Sequence, residues 1–240
     1  RCSVHIPDGF LSGEAVAVGW AAGAAGLAVC LRRVHAEQRE RDLPVAGLAA
    51  AFFLVGDAPL FPITVGTQGH LLGGLLAVAL LGPWLGAVTI AVVCVIQALA
   101  FGDGGITTLG LAIVNLALVP AFVGYPLLLA LRRLLPRTAT GVAAAAGVAA
   151  WVCVVLAALL FFAQFALGAV VEIDLATVGF ATVGVYALIG VLEGLLTALI
   201  LRAVLAVRPD LVRIGRDLWR ERGARSIRAL GAASPEGGGR

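Results

Sequence analysis

Charged side chains are scarce in this sequence, and two residue types are missing altogether. Only 13% of its 240 residues are charged, about half of the usual share, and neither Lys nor Met occurs. Hydrophobic residues make up 61% of the chain, and its mean hydropathy is +1.04. Because so little polar surface is available to enclose a core, the composition excludes a water-soluble globule and predicts a polytopic membrane protein.

Patterns that would indicate an enzyme or a prosthetic group are also missing. Cys2, Cys30, Cys94 and Cys153 lie far apart, without a CxxC pair. The sequence contains no HExxH motif and no Walker A motif. We therefore predict no catalytic residues and no bound cofactor, and we expect any energy from ATP hydrolysis to come from partner subunits.

Apolar segments of membrane-spanning character follow one another along the chain. The second and third are shorter than the ~20 residues that a span needs, so a re-entrant pair is the alternative for them. We predict an all-α integral membrane fold with seven spans at residues 13–206, between an N-terminal segment (1–12) and an Arg-rich tail (207–240) with a disordered end. The approximate segments are 14–31, 44–56, 70–82, 83–101, 109–131, 141–167 and 180–201.

The arginines predict the orientation, because positively charged loops stay on the cytoplasmic side. Apart from Arg1, they all follow the first, fifth or seventh segment, whereas the loops around Asp103 and Glu172 contain none. This distribution predicts an outside N-terminus and a cytoplasmic C-terminus. The expected location is the bacterial cytoplasmic (inner) membrane.

Two of the three histidines then fall on the outer side of the membrane. His5 precedes the first span and His70 begins the third, whereas His35 lies in an Arg-rich cytoplasmic loop. Imidazole nitrogens suit Ni²⁺, Co²⁺, Cu²⁺ and Zn²⁺. Spacing alone leaves two interpretations open, a shared metal site or separate hydrogen bonds at the membrane interface.

Four polar residues interrupt the apolar segments, where unpaired polar groups are costly. For Gln97, Asn115 and Gln164 we expect hydrogen bonds between helices. Glu193 fits either such a bond or a functional role, and its position toward the cytoplasmic half of the last segment separates it from an outer metal site.

The sequence resembles the CbiM/NikM family, the substrate-specific components of energy-coupling-factor (ECF) cobalt and nickel transporters. The likeness covers about residues 4–211. Its main blocks are HIPDGFLS at 5–12, GTQGHLLGG at 66–74, LGPW at 81–84, FGDGGI at 101–106 and EGLLTA at 193–198.

The resemblance implies a nitrogen ligand set for a divalent metal. The family's terminal amine, the backbone nitrogen and imidazole of its second-position His, and a later His form a roughly square-planar site. His5 and His70 match the two histidines, and Val4 matches the initiator Met, so Val4 contributes its amine only if it is the true N-terminus. We hypothesise that it is, although Arg1–Ser3 precede it.

Three further residues are candidates for orienting the imidazoles. They are Asp8, Asp57 and Gln68, and Asp8 fits equally well as a turn residue in Pro7-Asp8-Gly9.

By this resemblance the chain is the Ni²⁺- or Co²⁺-capturing subunit of an ATP-driven transporter, and the residues leave the choice of metal open. The implied partners are a CbiQ/NikQ-like coupling subunit, CbiO/NikO-like ATPase subunits and, as an accessory, a small CbiN/NikN-like membrane subunit, within the lipid bilayer and without nucleic acid. The alternatives are a secondary metal permease that acts without an ATPase and an intramembrane enzyme.

Small residues line one face of the first segment, at Gly19, Gly23 and Gly26. Such a face permits close helix packing. Packing within this chain explains it, and so does docking to the coupling subunit that the resemblance implies.

Overall fold

The computed structural model describes residues 6, 8–37, 42–57, 61–64, 67–69, 71–171 and 174–215. For residues 61–64, 67–69 and 177 only the backbone is described. All statements below concern this part of the chain.

Each of the seven predicted segments contains a helix. The helix at Pro83–Phe101 ends in a π-helical turn at Gln97–Phe101, and the helix at Leu109–Leu134 contains π-helical turns at Val114–Leu118 and Pro120–Gly124. Two 3₁₀ turns, Pro209–Leu211 and Arg213–Gly215, follow the last helix. The helices are α1 (Gly13–Glu37), α2 (Asp42–Gly56), α3 (Gly74–Leu81), α4 (Pro83–Phe101), α5 (Leu109–Leu134), α6 (Ala139–Gly168) and α7 (Leu175–Val207).

Five of these helices, α1, α4, α5, α6 and α7, are long and apolar enough to cross a membrane. The helical, multi-pass membrane fold is therefore confirmed. Seven full spans are not, since α2 has 15 residues and α3 has 8. At 1.5 Å per residue α3 is about 12 Å long, less than half of the ~30 Å hydrocarbon layer. Five and seven are both odd numbers, so the arginine pattern fits either count.

A short antiparallel hairpin connects α2 to α3. Its strands are β1 (Phe61–Thr64) and β2 (Thr67–Gly69), and Phe61 pairs with Gly69. The sequence indicated only a broken connection here, because Pro62 ends any helix. The hairpin is the one element of the described chain that the helical prediction did not include.

The small-residue face of α1 packs inside this chain. A Cβ added to Gly23 would lie 2.7 Å from the backbone oxygen of Gly110 in α5, and one added to Gly19 would lie 2.4 Å from the Leu111 side chain. Gly26 meets Leu118 in the same way. Close approach of α1 to α5 therefore accounts for these glycines.

The first residues of the predicted tail belong to the folded body. Val212 and Ile214 are buried, and Arg132 at the end of α5 donates to the Ile214 carbonyl at 2.8 Å. Arg213 pairs with Glu37 at the end of α1 at 2.8 Å. The helix ends that carry the arginines therefore lie together at one end of the bundle, and residues 216–240 lie outside the described chain.

Candidate metal site and the segments that carry it

The predicted ligands His5, His70 and Val4 lie outside the described residues. The backbone of Gln68 belongs to β2, but its side chain also lies outside them. His35 is exposed in the last turn of α1 rather than in a loop, because the helix continues to Glu37. The structure therefore describes how the neighbours of the two candidate histidines are held.

The N-terminal segment is attached to the connection between α4 and α5 through Asp8. This carboxylate accepts hydrogen bonds from the backbone N–H groups of Ile106 (3.2 Å) and Thr107 (2.8 Å) and from the Thr107 hydroxyl. The Thr107 bonds lower the pKa of Asp8 below its ordinary value. Asp8 also lies in a turn, and the next residue, Gly9, has a φ of 84°. Its interpretation as a turn residue is thus confirmed, and the turn directs its carboxylate to a specific partner.

Ile6, the residue after His5, is held by its backbone as well as by burial. Its carbonyl accepts from the Thr108 hydroxyl and from the Gly105 N–H, the latter at 3.2 Å. Its side chain is buried against Leu11, Leu111 and Phe165. The residue that follows His5 is therefore held in place by polar and apolar contacts.

Gly105 makes the close approach of the N-terminal segment possible. A Cβ at this position would lie 2.6 Å from Oδ1 of Asp8, 2.7 Å from its backbone nitrogen and 2.8 Å from the Thr108 hydroxyl oxygen.

The N-terminal segment is anchored a second time at the end of α6. The Ser12 backbone N–H donates to the Gly168 carbonyl (2.8 Å), and the Val170 backbone N–H donates to the Phe10 carbonyl (3.0 Å).

The segment that follows His70 is bound by Glu193. The Leu72 N–H donates to Oε2 at 2.7 Å and the Gly73 N–H donates to Oε1 at 3.0 Å. Glu193 is 4% exposed and lies near the middle of α7. The sequence gives no signal of this contact, because the depth of Glu193 along α7 does not reveal that α3 begins at the same level.

A second buried carboxyl group, Asp57, follows α2. Gln97 donates from Nε2 to its Oδ2 at 3.1 Å, and the Gln97 carbonyl accepts from the Asp103 N–H at 3.0 Å. In the part of the chain that is described, no basic side chain pairs with Asp57 or Glu193.

Hydrogen bonds between helices account for the other intramembrane polar residues, as predicted. Asn115 in α5 and Gln164 in α6 exchange two amide hydrogen bonds, both at 2.9 Å. Close by is a cavity of about 10 Å³, enough for one water molecule. The residues that line it include Leu72, Asn115, Cys153 and Glu193.

Among the described residues, no group of three or more His, Cys, Asp or Glu side chains could hold a metal ion.

Comparison with known proteins gives the family to which these elements belong. The profile of the family described as CbiM, the cobalt uptake substrate-specific transmembrane region, matches residues 5–211, a range that includes both candidate histidines. The chain belongs to the CbiM family. The CbiM-family resemblance found in the sequence is thereby confirmed.

Named relatives of this CbiM-family chain are transport proteins. A Haloquadratum walsbyi protein named for metal transport is 34% identical over 209 residues, which cover 87% of this chain and 93% of that protein. The fused nickel transport protein NikMN of Rhodobacter capsulatus is 41% identical over 116 residues, or 48% of this chain and 33% of that protein. The cobalt transport protein CbiM of Geobacter sulfurreducens is 36% identical over 151 residues, or 61% and 42%.

A solved structure agrees in fold with this CbiM-family protein. The crystal structure of a truncated transition metal transporter matches 84% of this chain and 98% of that chain, with a TM-score of 0.77 and 28% identity. Since the relatives and the matched structure are transporters, the CbiM-family protein is a transport component and not an enzyme.

Proposed function

We propose that this protein is the metal-capturing membrane subunit of an ATP-driven, ECF-type nickel or cobalt uptake transporter. His5 and His70 provide imidazole ligands, and the backbone nitrogen of His5 and the amine of Val4, as the N-terminal residue, complete a nitrogen set. One observation carries the proposal: the residue after His5, and the second and third residues after His70, are held by separate, long-range hydrogen bonds.

Such supports suit metal capture, because groups that orient ligands contribute strongly to metal affinity. Asp8, Ile6 and the 105–108 connection restrain one ligand segment, and Glu193 restrains the other. The buried carboxyl groups of Asp57 and Glu193 have no basic partner among the described residues. A divalent cation nearby would favour the ionised form of such carboxyl groups.

We place the site at the outer face, with the C-terminus in the cytoplasm. The arginine-bearing ends of α1 and α5 and the chain after α7 meet through Arg213–Glu37 and Arg132–Ile214 contacts. Positive charge favours the cytoplasmic side for that end. The connection that binds Asp8 lies at the opposite ends of α4 and α5, which supports an outer position for the N-terminal segment.

The short helices α2 and α3 complete a bundle of seven helices in this proposal, with the hairpin between them inside the outer half of the bilayer. A CbiQ/NikQ-like coupling subunit, CbiO/NikO-like ATPases and a CbiN/NikN-like accessory subunit are the partners. The sequence has no Walker A motif of its own.

The test is nickel and cobalt binding by detergent-purified protein that begins at Val4, made as Met. We expect His5→Ala and His70→Ala each to abolish tight binding, and retention of residues 1–3 to weaken it. His35→Ala is the matched control, because His35 is exposed at the far end of α1. Undiminished binding by both histidine variants would contradict the proposal.

Transport distinguishes the ATP-driven mechanism from a secondary permease. We expect nickel uptake by vesicles only when the coupling and ATPase subunits are present with ATP. Uptake by vesicles that contain this chain alone would favour the permease instead.

A further inference from the structure

Both oxygens of the Glu193 carboxylate are bound to the short segment that follows His70. The two bonds join Glu193, in the middle of α7, to Leu72 and Gly73, the last residues before α3. These residues lie 121 and 120 positions before Glu193 in the sequence. Glu193 therefore holds the backbone of both Leu72 and Gly73, with one oxygen for each N–H group.

The backbone of this segment is also confined on its other sides. Gly73 has a φ of 63°, and a Cβ there would lie 2.7 Å from the Phe53 ring. A Cβ on Gly74 would lie 2.5 Å from the Leu116 carbonyl oxygen. Phe53 and Leu116 thus confine the segment by close contact, whereas Glu193 holds it by hydrogen bonds.

We propose that Glu193 is a positioning residue for the metal site, which holds Leu72 and Gly73 and thereby sets where His70 presents its imidazole. A chain spans at most ~7 Å between Cα atoms two residues apart, so a restraint on Leu72 limits where His70 can lie. Glu193 acts through hydrogen bonds, since its two oxygens accept the backbone N–H groups of Leu72 and Gly73 at 2.7 and 3.0 Å. The inference rests on the proposed function, since it requires His70 to bind the metal.

The experiment compares Glu193→Gln and Glu193→Asp in the full chain, with nickel affinity measured by titration calorimetry. The Gln side chain loses the charge and one acceptor oxygen. The Asp side chain keeps both, but it is shorter by one methylene group. We expect both variants to bind Ni²⁺ about 10–100-fold more weakly. Thr197→Val, one turn further along α7 and also buried, is the control and is expected to bind as the unaltered protein does.

Two results reveal whether the effect passes through His70. The double variant Glu193→Gln/His70→Ala is expected to bind no more weakly than His70→Ala alone. The ligand-field absorption of bound Ni²⁺ is expected to shift in Glu193→Gln and to stay unchanged in Thr197→Val. A further loss in the double variant, or an unshifted spectrum, would overturn the positioning role.

Other outcomes are equally decisive. Unchanged affinity in both Glu193 variants overturns the inference, and so does full binding by Glu193→Asp beside a loss in Glu193→Gln, because charge alone would then explain the effect. Survival of binding in His70→Ala contradicts the proposed function itself, a failure that does not involve Glu193.

Amide hydrogen exchange tests the restraint without a substitution. In the metal-free, unaltered protein the Leu72 and Gly73 amides are expected to be protected because Glu193 accepts from both. Rapid exchange of these two amides would overturn the inference even if the variants fail to fold.

Discussion

Asp8 and Thr107 are joined by two hydrogen bonds across 99 positions of the sequence, one from the Thr107 backbone N–H and one from its hydroxyl. The pair connects the segment that carries His5 to the connection between α4 and α5. Asp8 lies three residues after the candidate ligand His5. Loss of the bonds between Asp8 and Thr107 is therefore expected to affect metal capture before it affects the fold.

Asp8→Asn is expected to weaken nickel binding about tenfold, since in either orientation the Asn NH₂ group faces a donor of Ile106 or of Thr107. Thr107→Val, which keeps the backbone bond, is expected to have a smaller effect. Titration calorimetry measures both, and thermal unfolding of the metal-free protein is expected to change little because Asp8 is exposed. Asp210→Asn, an exposed carboxylate paired with Arg208, is the control. Wild-type affinity in Asp8→Asn would refute an anchoring role.

The pH dependence of metal binding is expected to come from the ligands and not from Asp8. Its pKa is lowered in the folded protein by the Thr107 bonds, so its stabilisation is fully present above about pH 4 and is lost only as the pH falls through that lowered pKa. Histidine ligands instead take up protons near pH 6.5.

Nickel affinity is therefore expected to fall as the pH is lowered from about 7.5 to 5.5, and Asp8→Asn is expected to reduce it by the same factor at each pH. Binding isotherms at several pH values measure this. A midpoint that moves in Asp8→Asn would show that the carboxylate titrates together with the ligands.

The Asn115–Gln164 pair is expected to stabilise the contact between α5 and α6. Asn115→Leu or Gln164→Leu leaves the other amide without its partner in an apolar setting, at a cost of about 1–2 kcal/mol in the free energy of unfolding. The double variant is expected to cost less than the sum of the single ones. Denaturation in mixed micelles measures the cycle, and strict additivity would contradict a direct interaction.

Gly23→Ala is expected to destabilise the protein by about 1–3 kcal/mol, because its Cβ would meet the Gly110 backbone, which cannot move aside. Gly47→Ala in α2 is the matched control: nothing lies within 4 Å of an added Cβ there. That control is expected to be neutral or to stabilise α2 by up to about 1 kcal/mol. The same micelle denaturation applies, and equal effects of the two changes would contradict close packing of α1 on α5.

Residue content and local pattern were enough to predict the membrane class and the order of the helical segments, and they indicated that intramembrane amides bond to other helices without showing which two amides pair. Each depends on properties that a segment carries by itself, since a helix in lipid satisfies its own backbone hydrogen bonds. Segment length also indicated that α2 and α3 are short for membrane spans. For the hairpin between them, the sequence indicated only that a helix breaks at Pro62. The arginine pattern singled out the two candidate histidines and the family resemblance implied their ligand roles, and their placement stays a prediction.

The sequence by itself determined that this is a helical membrane protein with the motifs of the CbiM family. Only the tertiary structure decided what the carboxylates of Asp8 and Glu193 hold, because their partners lie about a hundred residues away along the chain. Which groups lie beside a buried carboxylate depends on which helices pack against each other and at what depth. The residue pattern of a single segment does not indicate these contacts, which form only when α3, α5 and α7 pack together.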